Sequence, residues 1–238
     1  MNGTTHPRLR ARRGSTAGTW WSKAVLRAVE EAAFGEKELR AGRALARAGA
    51  VGSITVSEGT AVAAVTDGQD AWTVEVTVPV LDDSDAAAFT ELVAAESGRI
   101  GALLAGQLPH AFVEAVEEAG VELLPYGGEL GSACTCEAWL DPCPHALAVL
   151  TQVAWLIQAD PFVLTHLRGL SRDRVLRDLH RIAPPRPPGA ALGHESPGDS
   201  RPSDEPDDPD DLDDLVVAED AAARAARQLQ QDRPFDGW

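Results

Sequence analysis

Cys134-Thr135-Cys136-Glu137-Ala138-Trp139-Leu140-Asp141-Pro142-Cys143-Pro144-His145 holds all three cysteines of the chain. A long apolar segment follows at once. In it, Ala146, Leu147, Val149, Leu150, Val153, Ala154, Leu156 and Ile157 recur at helical spacing. The spacing therefore predicts Cys143 and His145 at the first turn of a helix, and Cys134 and Cys136 on a strand end or hairpin before it. Six residues separate the two pairs, and Asp141-Pro142 among them is a turn signal that can bring the chain back on itself. Two pairs of soft ligands, each pair separated by one residue, suit one tetrahedral zinc ion, which takes thiolate sulfur at about 2.3 Å and imidazole nitrogen at about 2.0–2.1 Å. An odd number of cysteines does not make a disulfide framework. Cysteines chosen for packing would have no reason to crowd beside one histidine in a polar segment flanked by Gly, Ser and Pro. A redox pair usually has two intervening residues, and Cys134 and Cys136 have one.

Outward from this stretch, the amino-terminal half changes period twice. Trp20 to Phe34 and Glu36 to Ala50 read as a helical pair, with Gly35 between them. Val51 to Ser57, Thr60 to Thr66 and Ala71 to Val80 alternate at a period of two, with Glu58-Gly59 and Asp67-Gly68 as turns, which predicts a small antiparallel meander. Asp82 to Glu96, Arg99 to Leu108 and Pro109 to Gly120 return to helical patterning. The fold class is α+β: a helical pair, a small sheet and a helical layer, followed by a zinc-stabilised hairpin-helix finger and an acidic tail. The expected domains are residues 20–126 and 127–183, flanked by a disordered basic start at 1–19 and a Pro/Asp-rich disordered tail at 184–238, with a short helix predicted over Leu215 to Gln231.

The Cys134-x-Cys136, six-residue gap and Cys143-x-His145 pattern resembles the SWIM zinc finger. Trp139, Pro142, Asp160-Pro161-Phe162, Leu167-Arg168-Gly169, Thr19-Trp20-Trp21 and Leu39-x3-Arg43-Ala44 are similar to a family of bacterial proteins that carry this finger internally. The finger covers roughly residues 129 to 158, and the weaker similarity covers 20 to 181. The resemblance implies zinc binding by Cys134, Cys136, Cys143 and His145 and a role in contacting DNA or partner proteins. Such fingers also occur in or alongside Swi/Snf-type helicases. Many relatives place Lys between the third cysteine and the histidine; here it is Pro144, which leaves the ligands intact and removes a cation that could touch phosphate.

Charge narrows the function classes. The chain has 238 residues and a formal net charge of −16, which argues against coating nucleic acid or anionic membrane by bulk charge. The first 19 residues carry +4, residues 184 to 238 carry −9, and residues 20 to 183 carry −11. The acidic tail reads as a solubilising appendage, with an autoinhibitory or partner-binding arm as the alternative. No apolar run approaches the ~20 residues of a membrane span. The arginines near the start lack an apolar segment behind them, so a cytoplasmic protein is expected. Four protein ligands leave no open metal position, and no P-loop, dinucleotide fingerprint, nucleophile elbow or zinc-deaminase pattern is present. The expectation is a non-enzyme with one structural zinc and no small-molecule substrate.

Residues 163 to 183 hold the one concentrated basic feature, a local net of +3. Ser171 is placed to cap a helix that carries Arg172, Arg174, Arg177 and Arg181, with Arg168 just before it. Two functions follow. One is an adaptor whose finger docks a protein, such as a nucleic-acid-dependent ATPase. The other is a direct DNA- or RNA-binding protein using these arginines. Trp139 and Trp155 sit where packing would use them. Replacing Cys143 with Ser is expected to unfold the finger and leave the amino-terminal half partly folded.

Overall fold

The computed structural model describes residues 3–13 and 18–182. Its strands are Thr4–His6 (β1), Val51–Ser57 (β2), Thr60–Asp67 (β3), Asp70–Thr77 (β4) and Gly131–Cys134 (β5). Its helices are Trp20–Ala32 (α1), Glu36–Ala48 (α2), Asp83–Ala95 (α3), Ser97–Leu104 (α4), His110–Glu118 (α5), Pro144–Ala159 (α6), Phe162–Leu167 (α7) and Arg172–Ile182 (α8). A single 3-10 turn covers Gly127–Glu129. The architecture is α+β, as the periodicity requires.

The meander turns follow from their glycines. Gly59 and Gly68 adopt φ of 74° and 64°, the left-handed conformation that a tight hairpin needs and that costs glycine little. β2, β3 and β4 consequently pair antiparallel in sequence order. Val51, Ile54, Val56, Ala61, Ala63, Val65, Val74 and Val76 all point to one buried face. Two further strands extend the sheet, giving the order β1-β2-β3-β4-β5, all antiparallel.

β1 corrects the expectation that residues 1–19 lack structure. Thr4, Thr5 and His6 pair with Val56, Thr55 and Ile54, Arg8 Nε donates to the Gly49 carbonyl at 2.8 Å, and Arg12 N donates to the Arg47 carbonyl at 2.8 Å. The physical reason is the open edge of β2, whose unpaired backbone groups this segment satisfies. A three-residue polar strand carries too little alternation to be read from sequence.

Helix α6 is the shared centre. Every residue from His145 to Ile157 is buried, as expected of a helix that is apolar on all sides. It packs against β2, β3, β4 and β5 and also against α1 and α2. Gly42 makes the α2 contact close: a Cβ there would lie 2.6 Å from Leu147 Cβ and 2.9 Å from the Pro144 carbonyl oxygen. Gln152 Nε2 donates to the Ala46 carbonyl at 2.9 Å, and Trp21 Nε1 donates to the Ile157 carbonyl at 3.1 Å. The predicted division at 126/127 is therefore not a division of the fold. The finger supplies β5 to the sheet and α6 to the core, and the described residues fall within one compact unit. The acidic tail and its predicted helix lie outside the described residues. Among the described residues no helix is long and apolar enough to cross a membrane.

Candidate metal centre

β4 positions the first ligand pair. Cys134 lies opposite Val74 at the end of β5. Thr135 continues the pairing, its N–H donating to the Thr73 carbonyl and its Oγ1 accepting from Thr73 N, both at 3.0 Å. With Thr135 held by β4, side-chain alternation along an extended segment puts Cys134 and Cys136 on a common side. The second pair opens α6. Cys143 is its N-cap, with Sγ accepting from Ala146 N at 3.5 Å, and Pro144 takes the first helical position, where its missing N–H costs nothing. The Ser132 hydroxyl donates to Asp141, tying the six-residue gap back to β5.

These elements bring the four ligand atoms within 4.8 Å of one another. Cys134 Sγ and Cys143 Sγ lie 3.8 and 4.0 Å from His145 Nδ1. A tetrahedral zinc with ordinary bond lengths has ligand–ligand edges of roughly 3.5–3.8 Å. The chemistry of the donor set agrees, since three thiols and an imidazole are zinc ligands and there is no oxygen donor among them. Cys134, Cys136, Cys143 and His145 fit one structural zinc ion. When bound, it cross-links the strand end to the helix start.

Asp67 completes the arrangement, and sequence reasoning missed it. Its Oδ2 lies 3.4 Å from His145 Nε2, the nitrogen turned away from the sulfurs. A carboxylate there fixes the tautomer that leaves Nδ1 free for the metal. In the sequence Asp67 is only a turn residue, and nothing connects it to a histidine 78 positions away. The Trp72 ring covers the imidazole at 5.9 Å, tilted by 31°.

The three thiols differ. Burial pushes Cys134 up to about 12, and burial also raises Cys143. Burial acts upward on Cys136 too, but donation from Ala138 N–H and hydrogen bonds from His145, Cys134 and Cys143 outweigh it and lower it to about 7. Of the three, Cys136 is therefore the thiol that ionises most readily, and thiols still protonated would release their protons on binding metal.

The arginine set divides. Arg168 is 3% exposed, which corrects its placement on a binding surface. Its Nη1 donates to the Pro79 carbonyl at 2.8 Å, its Nη2 donates to the Glu122 carbonyl, and Glu129 Oε1 lies 3.8 Å from Nη1. Burial pushes this guanidinium below its usual value, against the opposing pull of Glu129, Glu122 and Asp85. Ser171 caps α8 as predicted, accepting from Arg174 N at 3.3 Å. Arg174 is held by Asp83 and Asp178, and Arg181 by Asp178. Arg172 lies over the Phe162 ring at 5.5 Å. Arg172 and Arg177 are exposed and form no ion pair among the described residues. Trp155 is buried as expected, whereas Trp139 is 84% exposed, which corrects its assignment to packing.

Residues 118–154 match the family described as SWIM zinc finger. The chain is also similar to "Uncharacterized protein Rv2102" of Mycobacterium tuberculosis, 30% identical over 187 residues. The alignment covers 77% of this chain and 66% of that relative, so the chain spans just under two thirds of the relative's length. No solved structure matches.

Proposed function

This chain carries a SWIM zinc finger, and from that premise we propose that it is a non-enzymatic interaction module that docks a protein partner, of the kind found in DNA-linked complexes such as those of Swi/Snf-type helicases. The observation that carries the reading is the closure of the metal site. Four protein ligands surround one position, whereas a catalytic zinc keeps one position open for water or substrate. The metal supports a surface and performs no reaction.

The identity of the partner class rests on charge. A net charge of −16 repels a phosphate backbone beyond the range of local contacts. Of the five arginines near the finger, Arg168 is buried and Arg174 and Arg181 are paired with carboxylates. Affinity capture with the zinc-loaded full chain, with and without nuclease, tests this. A protein partner retained after nuclease treatment supports the reading, and loss of every partner on nuclease treatment contradicts it.

Arg172 and Arg177, exposed and without an ion pair among the described residues, support a second reading, direct binding of DNA or RNA. Both line an open cavity of about 460 Å³ beside α8 and β1, which also holds Glu58, Asp160 and Asp173. A mobility shift across salt concentrations, repeated with Arg172, Arg177 and Arg181 replaced, separates the two readings. Binding that weakens steeply with salt and vanishes in the variant would establish the second.

A further inference from the structure

We propose that Trp139 and Phe34 form the anchor of the docking surface, and that its occupant is a protein segment carrying arginine beside aliphatic side chains. The inference rests on the adaptor reading above and names where and with what chemistry the partner is held.

Phe34 and Trp139 are the two most exposed large apolar side chains among the described residues, at 71% and 84%. They come from segments far apart in sequence, the α1–α2 connection and the gap between the ligand pairs. Yet their rings meet edge-to-face, with centroids 6.1 Å apart. Leaving two large aromatic rings in water forgoes the burial that places such residues in cores. In a chain with only 5% aromatic residues, pairing them on the surface calls for an explanation, and Trp is enriched, with Tyr and Arg, among the residues that dominate binding energy at interfaces.

The segment that carries Trp139 is tied at both ends. Cys136 and Cys143 bracket residues 137–142, and the Ser132–Asp141 hydrogen bond ties the gap a second time. Phe34 braces the indole from the side. An aromatic side chain held in this way loses little conformational entropy when a partner arrives.

Charge selects the occupant. Arg27, Arg40 and Arg43 are paired with Glu31, Glu36 and Glu30. Glu38, in the first turn of α2, and exposed Glu137, two residues before Trp139, form no ion pair among the described residues, and neither does exposed Lys37. An arginine can stack on the exposed indole face and meet a carboxylate with its fork, whereas a phosphate would face carboxylates. The negative chain as a whole steers a cationic partner inward.

The test uses the zinc-loaded full chain and three fluorescein-labelled probes: a dodecapeptide alternating Arg and Leu, its Glu-Leu counterpart, and a single-stranded thymidine dodecamer. Anisotropy should rise saturably with the Arg-Leu peptide alone. Trp139→Ala and Phe34→Ala should each weaken that binding at least tenfold, and Glu137→Lys severalfold, at unchanged zinc content and melting temperature. Binding within twofold of wild type in Trp139→Ala and Phe34→Ala, preference for either other probe, or no binding of any probe would overturn the proposal. A nuclease-resistant partner captured equally well by Trp139→Ala would remove this surface while leaving the adaptor reading in place.

Discussion

Replacing Arg168 with Ala distinguishes a buried structural cation from a surface contact. The guanidinium is 3% exposed and ties three segments together: the Pro79 carbonyl, the Glu122 carbonyl and the Glu129 carboxylate. The side chain of Glu129 is itself only 12% exposed. Truncation leaves that carboxylate and two carbonyl oxygens without their cation. Breaking one partner of a buried pair costs about 3–5 kcal/mol, whereas a surface substitution stays within about 0.5 kcal/mol. The two readings thus differ by several kcal/mol. Urea denaturation of the zinc-loaded chain measures the difference. Adding Glu129→Gln to Arg168→Ala should recover part of the loss, because the stranded charge is removed, with a coupling of about 0.5–3 kcal/mol. A loss below about 1 kcal/mol for Arg168→Ala, or strict additivity in the double variant, would refute the reasoning.

Gly42→Ala forces a Cβ to within 2.6 Å of Leu147 Cβ and 2.9 Å of the Pro144 carbonyl, so α6 must shift. We expect a loss of about 1–3 kcal/mol, the usual range for overpacking, seen as a lower melting temperature. Asp67→Ala should weaken zinc affinity about 10–100-fold in a competitive chelator titration while leaving one zinc at saturation; an unchanged affinity would show that Asp67 does not support His145. In the metal-free, reduced chain, Cys136 at about 7 is mostly thiolate at pH 8 and Cys134 at about 12 is protonated. Iodoacetamide should therefore modify Cys136 first, its rate rising through pH 7, and zinc affinity should fall as pH drops; equal rates at the two sulfurs would contradict the assignment. Chelation should lower the midpoint of one shared unfolding transition, the stability lost being about 2.7 kcal/mol relative to free zinc held a hundredfold above Kd. Two separated transitions would instead restore an independently folding finger.

The ligand quartet was legible because metal spacing is a local signal. The meander was legible for the same reason, since Gly59 and Gly68 mark its turns and the valines alternate. What escaped the sequence was non-local. Thr4–His6 is too short to show a period, and although a strand end at Cys134 was expected from the ligand spacing, its pairing with β4 depends on an edge formed elsewhere in the chain. The absence of a boundary at 126/127 comes from α6, whose wholly apolar character signalled burial without saying against what. Arg168 reads as basic surface in a run of arginines, and only the convergence of two carbonyls and Glu129 shows it to be internal. Trp139 reads as core because tryptophan usually is, and only the placement of the six-residue gap on the surface shows it to be exposed.

The central claim is that Cys134, Cys136, Cys143 and His145 close around one metal ion. Elemental analysis of freshly purified, reduced full-length chain, beside its Cys143→Ser variant, tests it most directly. One zinc per chain in the wild type and less than stoichiometric zinc in the variant is the predicted result. No zinc in the wild type, or a full complement retained by Cys143→Ser, would contradict it.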